Sequence, residues 1–132
     1  MIAALMLGRE GSVGFPGKNT TPVLGRPLMS YPILAANSAK RVDEIYVSTD
    51  SKEIKKIALE HEVKIIDRPP ELATKEALGE DAYVHGYKYI CDQLGDTPEL
   101  VVLLFCNAPT ILSQTIDDGI RILLEDPSLD SA

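Results

Sequence analysis

The chain has 132 residues, 45% apolar, 25% charged and only 5% aromatic with no Trp, and its net charge is −7. A domain of this size buries roughly two thirds of the surface of its unfolded form, so a real core is available. The negative balance and the scarcity of rings exclude a nucleic-acid surface built on excess Lys and Arg or on base stacking. No stretch approaches the ~18 apolar residues needed to span a bilayer.

The chain opens on the apolar run 2–7, which lacks the basic start of a secretory leader and reads as a buried strand. It empties into residues 8–19, Gly-Arg-Glu-Gly-Ser-Val-Gly-Phe-Pro-Gly-Lys-Asn, a loop holding four glycines, an arginine and a lysine. Such a loop directs backbone N–H groups and two cations around an anion, and phosphate suits it best. A helix is expected over 27–39, then a strand over 45–48 and a helix over 51–61, with Asp50 as its cap, Glu53 reaching back and Ile54, Ile57 and Ala58 on one face. A strand over 63–66 follows, then a helix over 80–94 whose apolar stripe comprises Tyr83, Val84, Tyr87, Ile90, Cys91 and Leu94. Tyr83 and Tyr87 thus read as core, leaving Tyr89 as the exposed ring. A strand over 100–105 and a helix over 113–125, with Ile116, Ile120, Leu123 and Leu124 inward, complete the pattern. Residues 126–132 read as a turn and the opening of another strand, so the chain looks like the front part of a longer domain or an unusually short relative.

The strands are nearly continuous apolar runs, as expected where both faces are covered. Alternating strands and helices imply right-handed crossovers, a mostly parallel sheet and one nucleotide-binding domain over 1–132. Ligands on such sheets sit outside the carboxyl ends of the strands, where the glycine loop lies. The loop misses the GxGxxG spacing, with Gly8, Gly11 and Gly14 in the wrong register. It comes closer to GxxxxGK[ST] through Gly17 and Lys18, but Ser12 replaces the first glycine and Asn19 the magnesium-binding hydroxyl. A connector whose glycines only make turns is the plainer alternative, and the loop's length argues against it.

The motifs RxGS at Arg9 to Ser12, GFPGKN at Gly14 to Asn19, GRPL at Gly25 to Leu28, VSTD at Val47 to Asp50, RPPELA at Arg68 to Ala73 and Asn107-Ala-Pro occur in order. In that order they resemble the CMP-sugar nucleotidyltransferases, notably the acylneuraminate cytidylyltransferases (CMP-sialic acid synthetases) and their legionaminate counterparts. The resemblance implies a three-layer Rossmann-like nucleotide-diphospho-sugar transferase fold, here truncated at the C-terminus. It also implies transfer of CMP from CTP to the anomeric hydroxyl of a sialic-acid-like sugar acid, release of pyrophosphate, a requirement for Mg²⁺, a homodimer and a cytoplasmic location.

Carried over by motif, Arg9 and Lys18 are the catalytic cations on the CTP phosphates. Leu7, Gly8, Gly11 and Ser12 line the nucleotide, and Asn19 contacts it. Arg68 reaches the cytosine or ribose, and Ala77 supplies backbone contacts to the base. Phe105 and Asn107 lie on the sugar-acid side. Val13 stands where relatives carry a second lysine, and Phe105 where they carry a glutamine that holds the sugar acid. The metal-holding aspartates of the family fall beyond Ala132. Two alternatives remain open: a non-catalytic nucleotide-binding module derived from such an enzyme, and a nucleotidyltransferase of other base specificity.

Other constellations have structural readings. Asp81 and His85 are four apart on one helix face, but one His and one carboxylate make a poor transition-metal site. His61 suits a helix end as a cation. Asp117 and Asp118 belong to the early turns of the last helix. Cys91 and Cys106 form no CxxC pair, which fits a reducing compartment, and neither reads as catalytic.

Overall fold

The computed structural model describes residues 1–9, 17–74 and 79–132. The expected alternation is present: β1 (Ile2–Gly8), the two-residue strands β2 (Pro22–Val23) and β3 (Arg26–Pro27), α1 (Ser30–Ser38), β4 (Glu44–Thr49), α2 (Lys52–Glu60), β5 (Lys64–Asp67), α3 (Gly79–Leu94), β6 (Leu100–Phe105) and α4 (Ser113–Glu125). The four long runs form one parallel sheet in the order β5-β4-β1-β6. Its register aligns Gly8 with Thr49, Thr49 with Asp67, and Leu7 with Phe105, so the strands end nearly level.

The pleat divides the sheet's side chains between two cores. Ala4, Met6, Val47 and Leu104 face Ile33 and Ala36 of α1, Ile54 and Ile57 of α2, and Ile116 and Ile120 of α4. On the other face Ala3, Leu5, Tyr46 and Ile66 meet Ile90, Tyr83, Tyr89 and Leu94 of α3. Gly86 lets α3 approach closely, because a Cβ there would lie 2.9 Å from Leu5 Cδ2. Right-handed crossovers put α1 and α2 on one face while the chain steps from β1 to β4 to β5, and α3 on the other as it returns past β1 to β6. The order therefore reverses between β1 and β6, which opens a crevice at their carboxyl ends.

Several local expectations are corrected. The helix expected from 27 begins at Ser30, because Leu24 (φ 50°) and Gly25 (φ 83°) build a two-residue turn that pairs β2 with β3. The cap of α2 is Ser51 rather than Asp50: the Ile54 N–H donates to Ser51 Oγ at 3.3 Å. Glu53 is turned elsewhere and accepts from Thr20 Oγ1 at 3.3 Å. In α3 the buried stripe is Ala82, Gly86 and Ile90, whereas Val84 and Tyr87 are exposed. Tyr89 is the ring that packs, meeting Tyr46 edge-on at 6.5 Å. In α4 Leu124 is exposed, and Asp117 does more than favour the helix dipole: it accepts the Lys40 and Arg41 N–H groups at 2.9 Å and so ties α4 to the end of α1. Residues 126–132 make the expected turn but no strand, since no neighbouring ladder receives them. Finally, among the described residues β6 is the outer strand of the sheet, with Leu103 and Phe105 exposed rather than covered.

Candidate active site

Each strand of the sheet ends in a polar or flexible step: Gly8-Arg9 after β1, Asp50 after β4, Arg68 after β5 and Cys106-Asn107 after β6. Period-two alternation assigns these positions to faces. Leu5 and Ile66 lie on the α3 face, so Leu7 and Arg9 continue that face from β1, and Arg68 continues it from β5. Val101 does the same for Phe105 on β6. Gly8 and Cys106 belong to the opposite face, where a Cβ on Gly8 would lie 3.1 Å from both Cys106 Sγ and Ile54 Cδ1. A side chain at Gly8 would therefore crowd Cys106 and Ile54, whatever the position offers a ligand.

Arg68 is the most unusual group in the site. It is only 7% exposed, and Ser48 accepts from it twice: Nη2 donates to the Ser48 carbonyl at 3.1 Å and Nε to Ser48 Oγ at 3.5 Å. The Arg68 N–H also donates to the Thr49 carbonyl at 3.1 Å, which continues the β4–β5 ladder one step past the strand. Burial pushes the guanidinium's pKa down from its usual range, the Asp50 carboxylate and the Cys106 thiol oppose this, and the nearby Arg9 guanidinium adds to it. Two guanidiniums thus continue one face of the sheet at its carboxyl edge in a protein of net charge −7. Cations gathered on one edge favour an anion there.

Lys18 opens a 3₁₀ turn, Lys18–Thr20, behind Gly17, whose φ of 72° is the left-handed value glycine tolerates. The turn is anchored from two sides. The Met29 N–H donates to the Asn19 carbonyl at 3.0 Å and the Leu28 N–H to the Thr21 carbonyl at 3.0 Å, while Thr20 reaches Glu53 at the start of α2. Asn19 is therefore fixed through its backbone, with its side chain not engaged by these contacts. Asn107 is exposed in the turn after β6, where the Ala108 N–H donates to the Phe105 carbonyl at 3.1 Å. Gly11, Ser12, Val13 and Ala77 lie outside the described residues.

From sequence, Asp50 reads as a helix cap in preference to a strand-end site, and Ser48 only as a member of a motif. The available signal was the alternation along VSTD, which puts both on the face that Arg68 occupies. Cys106 is inert as read: it is buried, it donates to the Leu7 carbonyl at 3.3 Å, and burial pushes its thiol up to about 12. His61 has a partner rather than only a helix end, with Nε2 3.0 Å from Ser30 Oγ. Among the described residues no three His, Cys, Asp or Glu side chains come together, and Asp81 with His85 is no exception. These residues do not make up the magnesium site that the resemblance implies.

A family model described as cytidylyltransferase matches residues 3–104, a span that covers β1 and runs into β6. The chain belongs to the cytidylyltransferase family. A 3-deoxy-manno-octulosonate cytidylyltransferase of Bdellovibrio bacteriovorus is 30% identical over 132 residues, covering 99% of this chain and 49% of that protein. An N-acylneuraminate cytidylyltransferase of Oncorhynchus mykiss is 40% identical over 72 residues, 54% of this chain and 17% of its own length. The match thus spans less than half of either relative. The fold of a solved CMP:2-keto-3-deoxy-manno-octonic acid synthetase in complex with CTP superposes with a TM-score of 0.79 at 20% identity, over 97% of this chain and 49% of that one. The mostly parallel, Rossmann-like sheet expected from sequence is therefore the family's fold. No helix among the described residues is long and apolar enough to cross a membrane.

Proposed function

We propose that this cytidylyltransferase chain binds CTP at the carboxyl ends of β5, β4 and β1 and serves the transfer of CMP to the anomeric hydroxyl of a sialic-acid-like sugar acid. The observation that carries the reading is that Arg9 and the buried Arg68 continue the same face of the sheet at its carboxyl edge, beside the β1–β6 crevice. In this reading Arg68, held by Ser48, takes the base or ribose, and Arg9 takes the phosphates. Lys18 comes to the same edge on its anchored turn. In attack of the acceptor oxygen on the α-phosphorus, the P–O bond to pyrophosphate breaks and charge grows on the phosphoryl and departing oxygens. Positioned cations and N–H donors stabilise that charge more than they stabilise bound CTP, which is the source of the rate. A guanidinium grips phosphate with two parallel N–H donors, and an ammonium adds a compact point charge.

Calorimetric titration of CTP against UTP, ATP and GTP tests the reading. CTP is expected to bind more tightly than the other three, and Arg9→Ala to weaken it about tenfold or more. Equal affinity for all four would point to a nucleotidyltransferase of other specificity. Binding without pyrophosphate release, with sugar acids present and the protein at its natural length, would favour the non-catalytic module. No CTP binding at millimolar concentration sinks both.

A further inference from the structure

The turn that carries Lys18 is gathered on one carbonyl. Gly17 O accepts from the Thr20 N–H at 3.1 Å, from Thr20 Oγ1 at 3.1 Å and from Thr21 Oγ1 at 2.9 Å. That carbonyl belongs to the Gly17–Lys18 peptide, and a peptide is a rigid plane whose far edge carries the Lys18 N and Cα. Holding the oxygen therefore fixes the direction in which the Lys18 side chain leaves the backbone. Gly17 itself, at φ 72°, lacks the Cβ that would confine its rotation. The restraint has to come from the threonines.

The two hydroxyls are not equivalent. A threonine has one hydroxyl proton, and that of Thr20 is contested: the Glu53 carboxylate, at the start of α2, lies 3.3 Å away and competes with the Gly17 carbonyl. The Thr21 hydroxyl makes the shorter bond, and its backbone is held as well. Its N–H donates to the Lys18 carbonyl at 3.3 Å, and its carbonyl accepts the Leu28 N–H at 3.0 Å, where the β2–β3 hairpin returns. Thr21 is thus tied to the body of the fold and reaches back four residues to Gly17. We infer that Thr21 is a positioning residue, whose hydroxyl holds the Gly17–Lys18 peptide and so aims the Lys18 ammonium at the CTP phosphates. Its effect runs through Lys18 alone. This rests on the CTP-binding reading above and adds to it the group that sets one of its cations.

Calorimetric titration of CTP into the protein at its natural length is the test. Thr21→Val keeps the branched shape and loses the hydroxyl; it should weaken CTP about tenfold, the scale of one charge-assisted phosphate contact. Its melting temperature should stay within about a degree or two of wild type, as for other exposed substitutions. Thr21→Ser keeps the hydroxyl and should bind within about twofold of wild type. In a Lys18→Ala background, itself weaker than wild type, Thr21→Val should add less than about twofold, because residues that act through one contact are not additive. Five results overturn the inference: unchanged CTP affinity in Thr21→Val, a Thr21→Ser as weak as Thr21→Val, the full loss from Thr21→Val on top of Lys18→Ala, a Lys18→Ala that binds CTP like wild type, or a Thr21→Val that fails to fold, which would make Thr21 structural. Wild-type CTP binding in each of these leaves the cytidylyltransferase reading standing, whereas a wild type that binds no CTP removes both.

Discussion

The two faces of the sheet are built differently. On one, α1, α2 and α4 close over Met6, Val47 and Leu104, and the core runs from β5 across to β6. On the other, α3 covers β1, β4 and β5 through Leu5, Tyr46 and Ile66, and the end of β6 is bare. The candidate residues Leu7, Arg9, Arg68 and Phe105 all fall on this thinly covered face. A face closed by helices can stabilise the domain but has no room for a ligand, whereas an open one can hold a ligand at some cost in apolar exposure. Substitutions on the first face should therefore change stability, and those on the second should change binding and turnover.

The largest effect expected is on turnover. With the protein at its natural length, Arg9→Ala should lower kcat/KM by about 10²–10³, or ~3–4 kcal/mol, the range of a lost transition-state donor. Its melting temperature should stay within a degree or two of wild type. A large loss of stability would break the contrast, since it would make Arg9 structural.

Ile33→Ala, at a fully buried α1 position on the closed face, should cost about 3 kcal/mol in urea unfolding and leave CTP affinity unchanged in the folded protein. Smaller is Gly86→Ala, whose new Cβ meets Leu5 across the α3–β1 contact; overpacking there should cost ~1–2 kcal/mol. If Leu5 swings aside without cost, the α3 face is looser than its burial implies.

In the opposite direction, Leu24→Asn should stabilise by about 1 kcal/mol, read as a raised urea midpoint. Leu24 is 94% exposed with φ 50°, a conformation that penalises a branched side chain and that Asn tolerates.

The smallest expected effect concerns pH. The Lys64 ammonium, at 2.8 Å, and the Tyr46 hydroxyl, at 2.5 Å, hold the Glu44 carboxyl below its ordinary value of 4.5. A carboxyl depressed in the folded state adds stability above that value and loses it as pH falls through the lower folded value. The urea midpoint should therefore fall on acidification below about pH 4.5, and less steeply in Glu44→Gln. Lys64 is largely exposed, so solvent keeps the effect modest.

Legibility in the sequence followed the range of the interactions. The four long strands were visible as apolar runs and α4 was bounded correctly, because hydrophobic period is a local property of the chain. The β2–β3 hairpin was missed because it depends on Leu24 accepting a positive φ, which its residue type does not advertise. Tyr87 and Tyr89 exchanged roles because the α3 stripe alone does not say which flank meets Tyr46, and only the docked sheet decides that. The cap of α2 is Ser51 rather than Asp50, one residue on, and the Asp50 carboxylate instead acts on the Arg68 guanidinium, holding its pKa up against burial.

By itself the sequence determined a parallel α/β sheet, the loop that follows its first strand, and the motif order that marks a cytidylyltransferase. These are set by side-chain period and by residue types that act where they stand. The tertiary structure alone decided that Arg9 and Arg68, 59 positions apart in the chain, end on one face, that Arg68 is buried against Ser48, and that Phe105 stands exposed at the end of β6 on that same face. Strand order and register bring such residues together, and neither can be read from any one segment.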